Sequence, residues 1–554
     1  MIGLFKSLTS ARQYNFIELE LGGEIPEEEE RVFIPFFPFF PRKRKLTIWD
    51  LERLFWYASI NPKILGVLIK IRGLKVGLAR AEAIRRGIRE LREVGKRVFI
   101  YVEEAGNIEY LIASAGEKVF LPRWSVLNLI GLKAEVTFFK DMLDKLGIKP
   151  QTRVVGDYKS AVEMFTRNSM SDFHRQMLES VLEDIFTYFV KYVAEDRGID
   201  EKRLKELIDS GPFTSEEALN LGLVDGVLYE GELERKIEDM VGVSVEKISA
   251  TAFLRMEGVK EFFRSIKERI KGEANTVALL VDSGIITLGE SKGGGGTKTL
   301  GSRTVVKILQ KIADDRSIKA LIYRVSTPGG SGIASDLICS QLRYVSEKKP
   351  VIVSMSDVAA SGGYLIALGA KRIVAEGFTL TGSIGIIGGK FNVKGFLNRV
   401  GITKEWILRG KRAMMFSLYK EFSKEEEQRL ADILNAFYKS FIQKVASARG
   451  ILLEEVESLA QGRVWTGRQA KELGLVDEIG GIRKAIDIAK REASIPEGVT
   501  PFIRLVAKPR GIQIMPFSKD LGGKVEISPL FLEILDTLER ERFLALMPVC
   551  ISIS

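Results

Sequence analysis

Short, nearly continuous apolar runs alternate along this chain with longer stretches in which apolar residues recur at helical spacing. The runs "GVLIKIRG" (66–73), "RVFIYVE" (97–103), "ALIYRVST" (320–327) and "PVIVSMS" (350–356) are β-rich. Runs of this length read as buried strands. A helical pattern separates the members of each pair, and this alternation predicts an α/β fold. Long helices are expected near 171–198 and 423–449, the second opened by Ser423 with Glu426 three residues on, a capping box.

The pattern repeats. "GVLIKIRG" resembles "ALIYRVST" at a distance of 254 positions, and the same offset pairs "EYLIASAGEKVFL" (109–121) with "GYLIALGAKRIVA" (363–375). Further on, "FTSEEALNLGLVDGV" (213–227) matches "WTGRQAKELGLVDEI" (465–479) at an offset of 252. The chain therefore divides into an N-terminal segment (1–49), a first module (50–245), a charged helical connector (246–275), a second module (276–500) and a tail (501–554) that ends in apolar "FLALMPVCISIS". The run "ESKGGGGTKTLGS" (290–302) reads as a loop, and not as a phosphate-binding loop, because Thr297 stands where a glycine should precede the lysine.

Composition narrows the reading. A length of 554 exceeds the roughly 250–300 residues of one core. The hydrophobic fraction is 45% and the charged fraction 28%, as in ordinary globular chains. A net charge of +10 spread over mixed-sign helices reads as a solvated surface, and no nucleic-acid-binding signature accompanies it. Cys339 and Cys550 are too few for a disulfide framework, and a single histidine, His174, makes a histidine-rich metal site a poor reading; no cofactor is expected. His174 itself is expected at the surface. No apolar run reaches the 18 residues of a membrane span. The segment "RVFIPFFPFFPRKRK" holds ten apolar residues, Val32 to Pro41, broken by prolines and followed by a basic cluster. It reads either as a peripheral membrane contact or as cover for a domain edge or an oligomer contact.

Candidate chemistry lies in three glycine-rich motifs of the second module: "RVSTPGGSG" (324–332), "AASGGY" (359–364) and "LTGSIGI" (380–386). The first two would present bare backbone N–H groups to an oxyanion. At the 254 offset Ser361 faces Asn107, "STPGG" faces "RGLKV" and "TGSIG" faces "LNLIG", so the set is kept in one copy only. A glycine set needed merely for folding belongs in both copies; this one points to a site around Ser361. With no histidine at hand, a buried lysine of lowered pKa is the available base. Lys159, in "RVVGDYKSAVEMF", sits among small and apolar neighbours.

These motifs resemble the long, tandem-domain form of the signal peptide peptidase A family (peptidase family S49). The resemblance spans roughly 50–495 and rests on "GDYKSAVEMF", "STPGGS" and "SMSDVAASGGY…TLTGSIGI". It implies two tandem ClpP/crotonase-like modules (ββα-type repeats) and a serine endopeptidase with a Ser/Lys dyad. Its substrates would be released signal peptides and other unstructured apolar peptides. Carried over by motif, Ser361 is the nucleophile, Lys159 the base, Gly330 and Gly362 the oxyanion donors, and Ser383 a support for the lysine or the water. The family also implies a homo-oligomer, a tetramer, and an N-terminal membrane anchor that this sequence does not display. Membrane-associated or cytoplasmic placement both stay open. Lys411 faces Lys159 at the 252 offset and is the alternative base. Two other readings remain: an acyl-CoA enzyme of crotonase type, and a non-catalytic scaffold.

Overall fold

The computed structural model describes residues 14–28, 45–270, 275–292, 298–506, 543–547 and 552–553. The apolar segment 32–41, the glycine run 293–297 and tail residues 507–542 lie outside the described residues.

Each module is built on a parallel sheet, as the apolar runs predict. In the first, the spatial order is Lys247–Ser249, Phe16–Glu24, Gly66–Lys75, Arg97–Val102, Lys118–Leu121, Gly226–Val227, with every pair parallel. In the second, Val351–Ala360, Ile318–Thr327, Thr276–Ser283 and Phe502–Leu505 run parallel side by side, with Leu380–Gly382 and Arg372–Ala375 both beside Val351–Ala360. The first sheet thus takes in a strand from before residue 50 and one from the connector, and the second takes in residues 502–505. The strands Phe16–Glu24, Lys247–Ser249 and Phe502–Leu505 thus join these sheets from outside the stretches 50–245 and 276–500 read from the repeat.

The long helices are Asp172–Arg197, N-capped by Ser171, and Lys424–Arg449, N-capped by Ser423 with the Glu426 capping box in place. The connector helix, Ala250–Ile270, packs back on Ile48–Ile60, where Arg53 and Tyr57 both reach Glu261. His174 departs from expectation. It is buried, with Nδ1 3.1 Å from Glu163, because the first turn of its helix folds under the segment that follows Lys159. Among the described residues no helix is long and apolar enough to cross a membrane.

One apolar cluster runs through both modules, from Ile69 and Phe189 past Phe378 to Ile322 and Ile488. Polar contacts fix the register of the docking. Helix Leu78–Glu93 of the first module carries most of them: Arg80 N donates to Asp357 (3.0 Å), Glu82 accepts from Phe378 N (2.9 Å) and Arg468 (3.0 Å), and Arg86 donates twice to the buried Glu376. Glu27, just past the first strand, is buried against Arg324 through two 3.0 Å bonds and accepts from Ser356. Burial alone would raise the Glu27 pKa, but the Arg324 guanidinium, together with the Ser356 hydroxyl and Arg80, more than offsets it and holds the carboxyl below its usual value.

A third sheet joins the modules. Its order is Thr299–Gly301, Ile285–Thr287, Gly329–Ser331, Phe543–Leu546, Ile386–Asn392, Lys149–Val155. The last two strands, one from each module, pair antiparallel from Ile386 opposite Val155 to Asn392 opposite Lys149. This pairing carries the chain that follows Val155 into the second module.

Candidate active site

Ser361 stands where the strand Val351–Ala360 gives way to the short helix Gly362–Ala367. Its backbone, at φ 55° and ψ −109°, lies in a region that side chains rarely adopt, held by Ser361 N donating to Gly382 O (2.7 Å). A strained serine at a strand-to-helix corner is the geometry that pushes a hydroxyl out of the sheet. Gly362 is first in that helix, so its N–H has no partner within it. Gly330 lies in the third sheet, opposite Ile286 on one side and Ala545 on the other.

Lys159 arrives from the first module. After the strand Lys149–Val155 the chain turns at Gly156, and Tyr158 N donates to Gln461 O (2.8 Å). Lys159 is 2% exposed, and its Nζ lies 2.7 Å from Ser361 Oγ, 2.8 Å from Ser383 O and 2.9 Å from Ser383 Oγ. Ser361 and Ser383 are 0% exposed. Burial pushes the Lys159 ammonium well below the ordinary lysine value, and no carboxylate beside it opposes the shift. Ser383 is itself in the left-handed region (φ 51°), its N–H held by Arg463 O at 2.7 Å.

The other lysines are elsewhere. Lys411 is on the surface, its side chain 78% exposed and ion-paired with Glu425 at 2.7 Å. Lys390 is buried over the Phe422 ring, and burial lowers its pKa to about 8, but its Nζ donates to Met415 O (2.7 Å). Asn107, the first-module counterpart of Ser361, is spent on structure: its amide donates to Gly131 O (2.9 Å).

One position packed against Lys159 escaped the sequence reading. Gly462 has φ 81°, and a Cβ there would stand 2.6 Å from both the N and the Cβ of Lys159. Only a glycine lets the lysine backbone come this close. The available signal was the one used for the other motifs: at the 252 offset Gly462 faces Ser210, so this glycine too is kept in one copy.

Residues 90–244 and 343–496 each match the family described as "Peptidase family S49". The chain belongs to that family. It is a serine peptidase of two family units in tandem. Among curated relatives, it is 33% identical over 457 residues to "Serine protease SPPA, chloroplastic" of Arabidopsis thaliana, an overlap of 81% of this chain and 66% of that protein. It is 31% identical to "Protease 4" of Haemophilus influenzae, over 81% of this chain and 73% of the relative. Solved structures with some likeness include the 1510-N membrane-bound stomatin-specific protease (18% identity, 43% of this chain and 99% of that one, TM-score 0.27) and ClpP1 from Listeria monocytogenes (15% identity, 40% and 98%, TM-score 0.22).

Proposed function

We propose that this S49 peptidase works through a Ser361–Lys159 dyad and degrades unstructured apolar peptides, signal-peptide remnants among them. The observation that carries the reading is the 2.7 Å approach of a fully buried amine to a fully buried, strained hydroxyl. A neutral amine has two N–H bonds and one lone pair. With its two hydrogens given to the carbonyl and hydroxyl of Ser383, the lone pair faces the Ser361 O–H, as a general base requires.

Chemistry follows from that arrangement. Lys159 takes the Ser361 proton as Oγ attacks the peptide carbonyl, and the N–H groups of Gly330 and Gly362 hold the developing charge. The ammonium then protonates the leaving amine, and the neutral lysine activates the water that releases the acyl group. Loss of one such donor typically costs ~2.7–4 kcal/mol of barrier. The assignment of signal-peptide remnants is supported by the name of a further relative, "Putative signal peptide peptidase SppA" of Enterococcus faecium, 34% identical over 190 residues. Self-association is part of the same reading, supported by the exposed apolar side chains of Ile402, Trp406, Ile407 and Leu408.

A fluorophosphonate probe tests the dyad. Labelling of the wild-type chain that is absent in Ser361→Ala and strongly slowed in Lys159→Ala is the expected result; labelling that persists in Ser361→Ala overturns it.

A further inference from the structure

Two long helices occupy matching places in the repeat, Asp172–Arg197 and Lys424–Arg449, and both begin with a serine N-cap. At the 252 offset Ser171 faces Ser423, His174 faces Glu426 and Glu163 faces Met415. The second helix caps itself. Glu426 accepts from Ser423 N at 2.8 Å, and Ser423 Oγ accepts from Glu426 N at 3.2 Å. The first helix keeps the serine half of that box, His174 N donating to Ser171 Oγ at 3.2 Å, but has a histidine where the carboxylate belongs. Its carboxylate comes from outside the helix. Glu163 accepts from Ser171 N (3.1 Å), Ser171 Oγ (2.5 Å) and His174 Nδ1 (3.1 Å).

Glu163 belongs to the segment that carries the proposed base. Lys159 opens the turn Ser160–Val162, which runs straight into Glu163–Thr166, so continuous helical backbone joins the amine to the carboxylate. The same long helix holds the residue before Lys159. The Tyr158 hydroxyl donates to Gln176 Oε1 (2.7 Å), and its ring stands edge-on to Phe173 with centres 5.1 Å apart. Lys159 is thus gripped on both sides by the first turns of one helix. That helix is fixed in turn to the second module, where Val464 N donates to Met177 Sδ (3.2 Å) and Gln469 donates to Ser180. Val464–Thr466 pairs with Leu380–Gly382, whose Gly382 O accepts from Ser361 N. The electrostatics agree. A helix N-terminus favours a carboxylate. Burial would raise the Glu163 pKa, but hydrogen bonds from His174 and Ser171 more than offset it and hold the carboxyl below its usual value. The arrangement also has a cost: among the described residues, buried His174 Nε2 has no hydrogen-bond partner. A glutamate at 174 would avoid that cost, and it is the solution found in the second copy. The contrast follows the lysines. Lys159, whose segment supplies the carboxylate, stands at the serine, whereas Lys411, ahead of the self-capped helix, is on the surface.

We propose that Glu163 and His174 are positioning residues for Lys159: with the helix's own cap left open, the carboxylate of the base segment is drawn into it, and this fixes the amine opposite Ser361. The proposal rests on the Ser361–Lys159 reading of the site.

Two full-length variants test this. Glu163→Gln replaces an acceptor-only group with an amide that cannot accept all three bonds. Glu163→Met combined with His174→Glu installs the second copy's arrangement, which caps the helix and frees the base segment. Where the first does not fold, the second, whose helix keeps a cap, carries the test. Both are expected to lose ~10²-fold in kcat on a fluorogenic apolar peptide, the usual result of ~1 Å of misplacement, with KM within about twofold of wild type. Labelling of Ser361 by the fluorophosphonate should slow by a similar factor. On a Lys159→Ala background neither change should slow labelling further, because no amine is left to position. A folded variant with kcat within about threefold of wild type overturns the proposal, as does a loss of equal size with and without Lys159. If Lys159→Ala labels slowly while folded Glu163→Gln labels at the wild-type rate, the dyad stands and only the positioning assignment falls. If Lys159→Ala itself labels as fast as wild type, the dyad reading has failed, and the positioning role with it.

Discussion

Gly462→Ala is the sharpest perturbation of the proposed dyad that leaves its functional groups in place. An alanine Cβ at this position would stand 2.6 Å from the N and Cβ of Lys159, where ordinary contact begins near 3.4 Å, so the lysine backbone must retreat by about 0.8 Å. It cannot slide along the loop, because Tyr158 N is tied to Gln461 O. Carried to the end of the side chain, that retreat stretches the 2.7 Å contact between Nζ and Ser361 Oγ to about 3.5 Å, beyond hydrogen-bond reach. Misplacement by ~1 Å typically costs ~10²-fold in rate, or about 2.7 kcal/mol at ~1.36 kcal/mol per factor of ten. The left-handed backbone adds a stability cost of ~1–2 kcal/mol for any residue with a Cβ. Gly450→Ala separates the two effects. It ends the helix Lys424–Arg449 at φ 66° with nothing within 4 Å of an added Cβ, so it bears the backbone cost alone. The assay is kcat/KM on an apolar fluorogenic peptide, with thermal melts of both variants. Melting points that fall similarly, with kcat lost ~10²-fold only in Gly462→Ala, are expected. A folded Gly462→Ala chain within threefold of wild-type kcat refutes the reasoning.

Three further outcomes follow from the same geometry. Lys159→Ala should lose ~10²–10⁴-fold in kcat, the usual worth of a general base, whereas Lys411→Ala, which removes an exposed ion pair, should stay within about twofold; peptide cleavage by the two variants decides between them. Catalysis needs Lys159 neutral, so kcat/KM should rise with pH along a limb set below the ordinary lysine value of ~10.4. In the same window the unfolded chain binds a proton that the folded chain refuses; stability should therefore climb as pH rises from the lowered folded pKa to ~10.4. Lys159→Met should abolish that slope in denaturant titrations across pH. Glu27→Gln leaves the Arg324 charge buried without its carboxylate and should cost ~3–5 kcal/mol in urea unfolding, since the pair is inaccessible on both sides.

Much of this molecule was legible in the chain itself. The paired apolar runs and the repeated "LGLVD" gave both sheets and their tandem order, and motifs kept in one copy marked the neighbourhood of Ser361. Ser423 and Glu426 marked a helix start to the residue. What escaped was non-local. Phe16–Glu24 and Lys247–Ser249 join the first sheet from outside the repeat, and sheet partnership leaves no trace in local periodicity. His174 looked like a surface residue because polarity says nothing of what folds over it. Gly462 was overlooked because a glycine's reason for being there is the backbone it admits, here one that lies 303 positions earlier.

The amine and the hydroxyl of the proposed pair stand 202 positions apart, and the glycine that seats the amine comes later still, at 462 of 554. With that pair as the catalytic one, a growing polypeptide carries no hydrolytic power while its first module folds. Synthesis must pass position 462 before the proposed pair can be assembled. On that proposal, a chain whose halves fail to dock brings no amine to its serine and cleaves nothing.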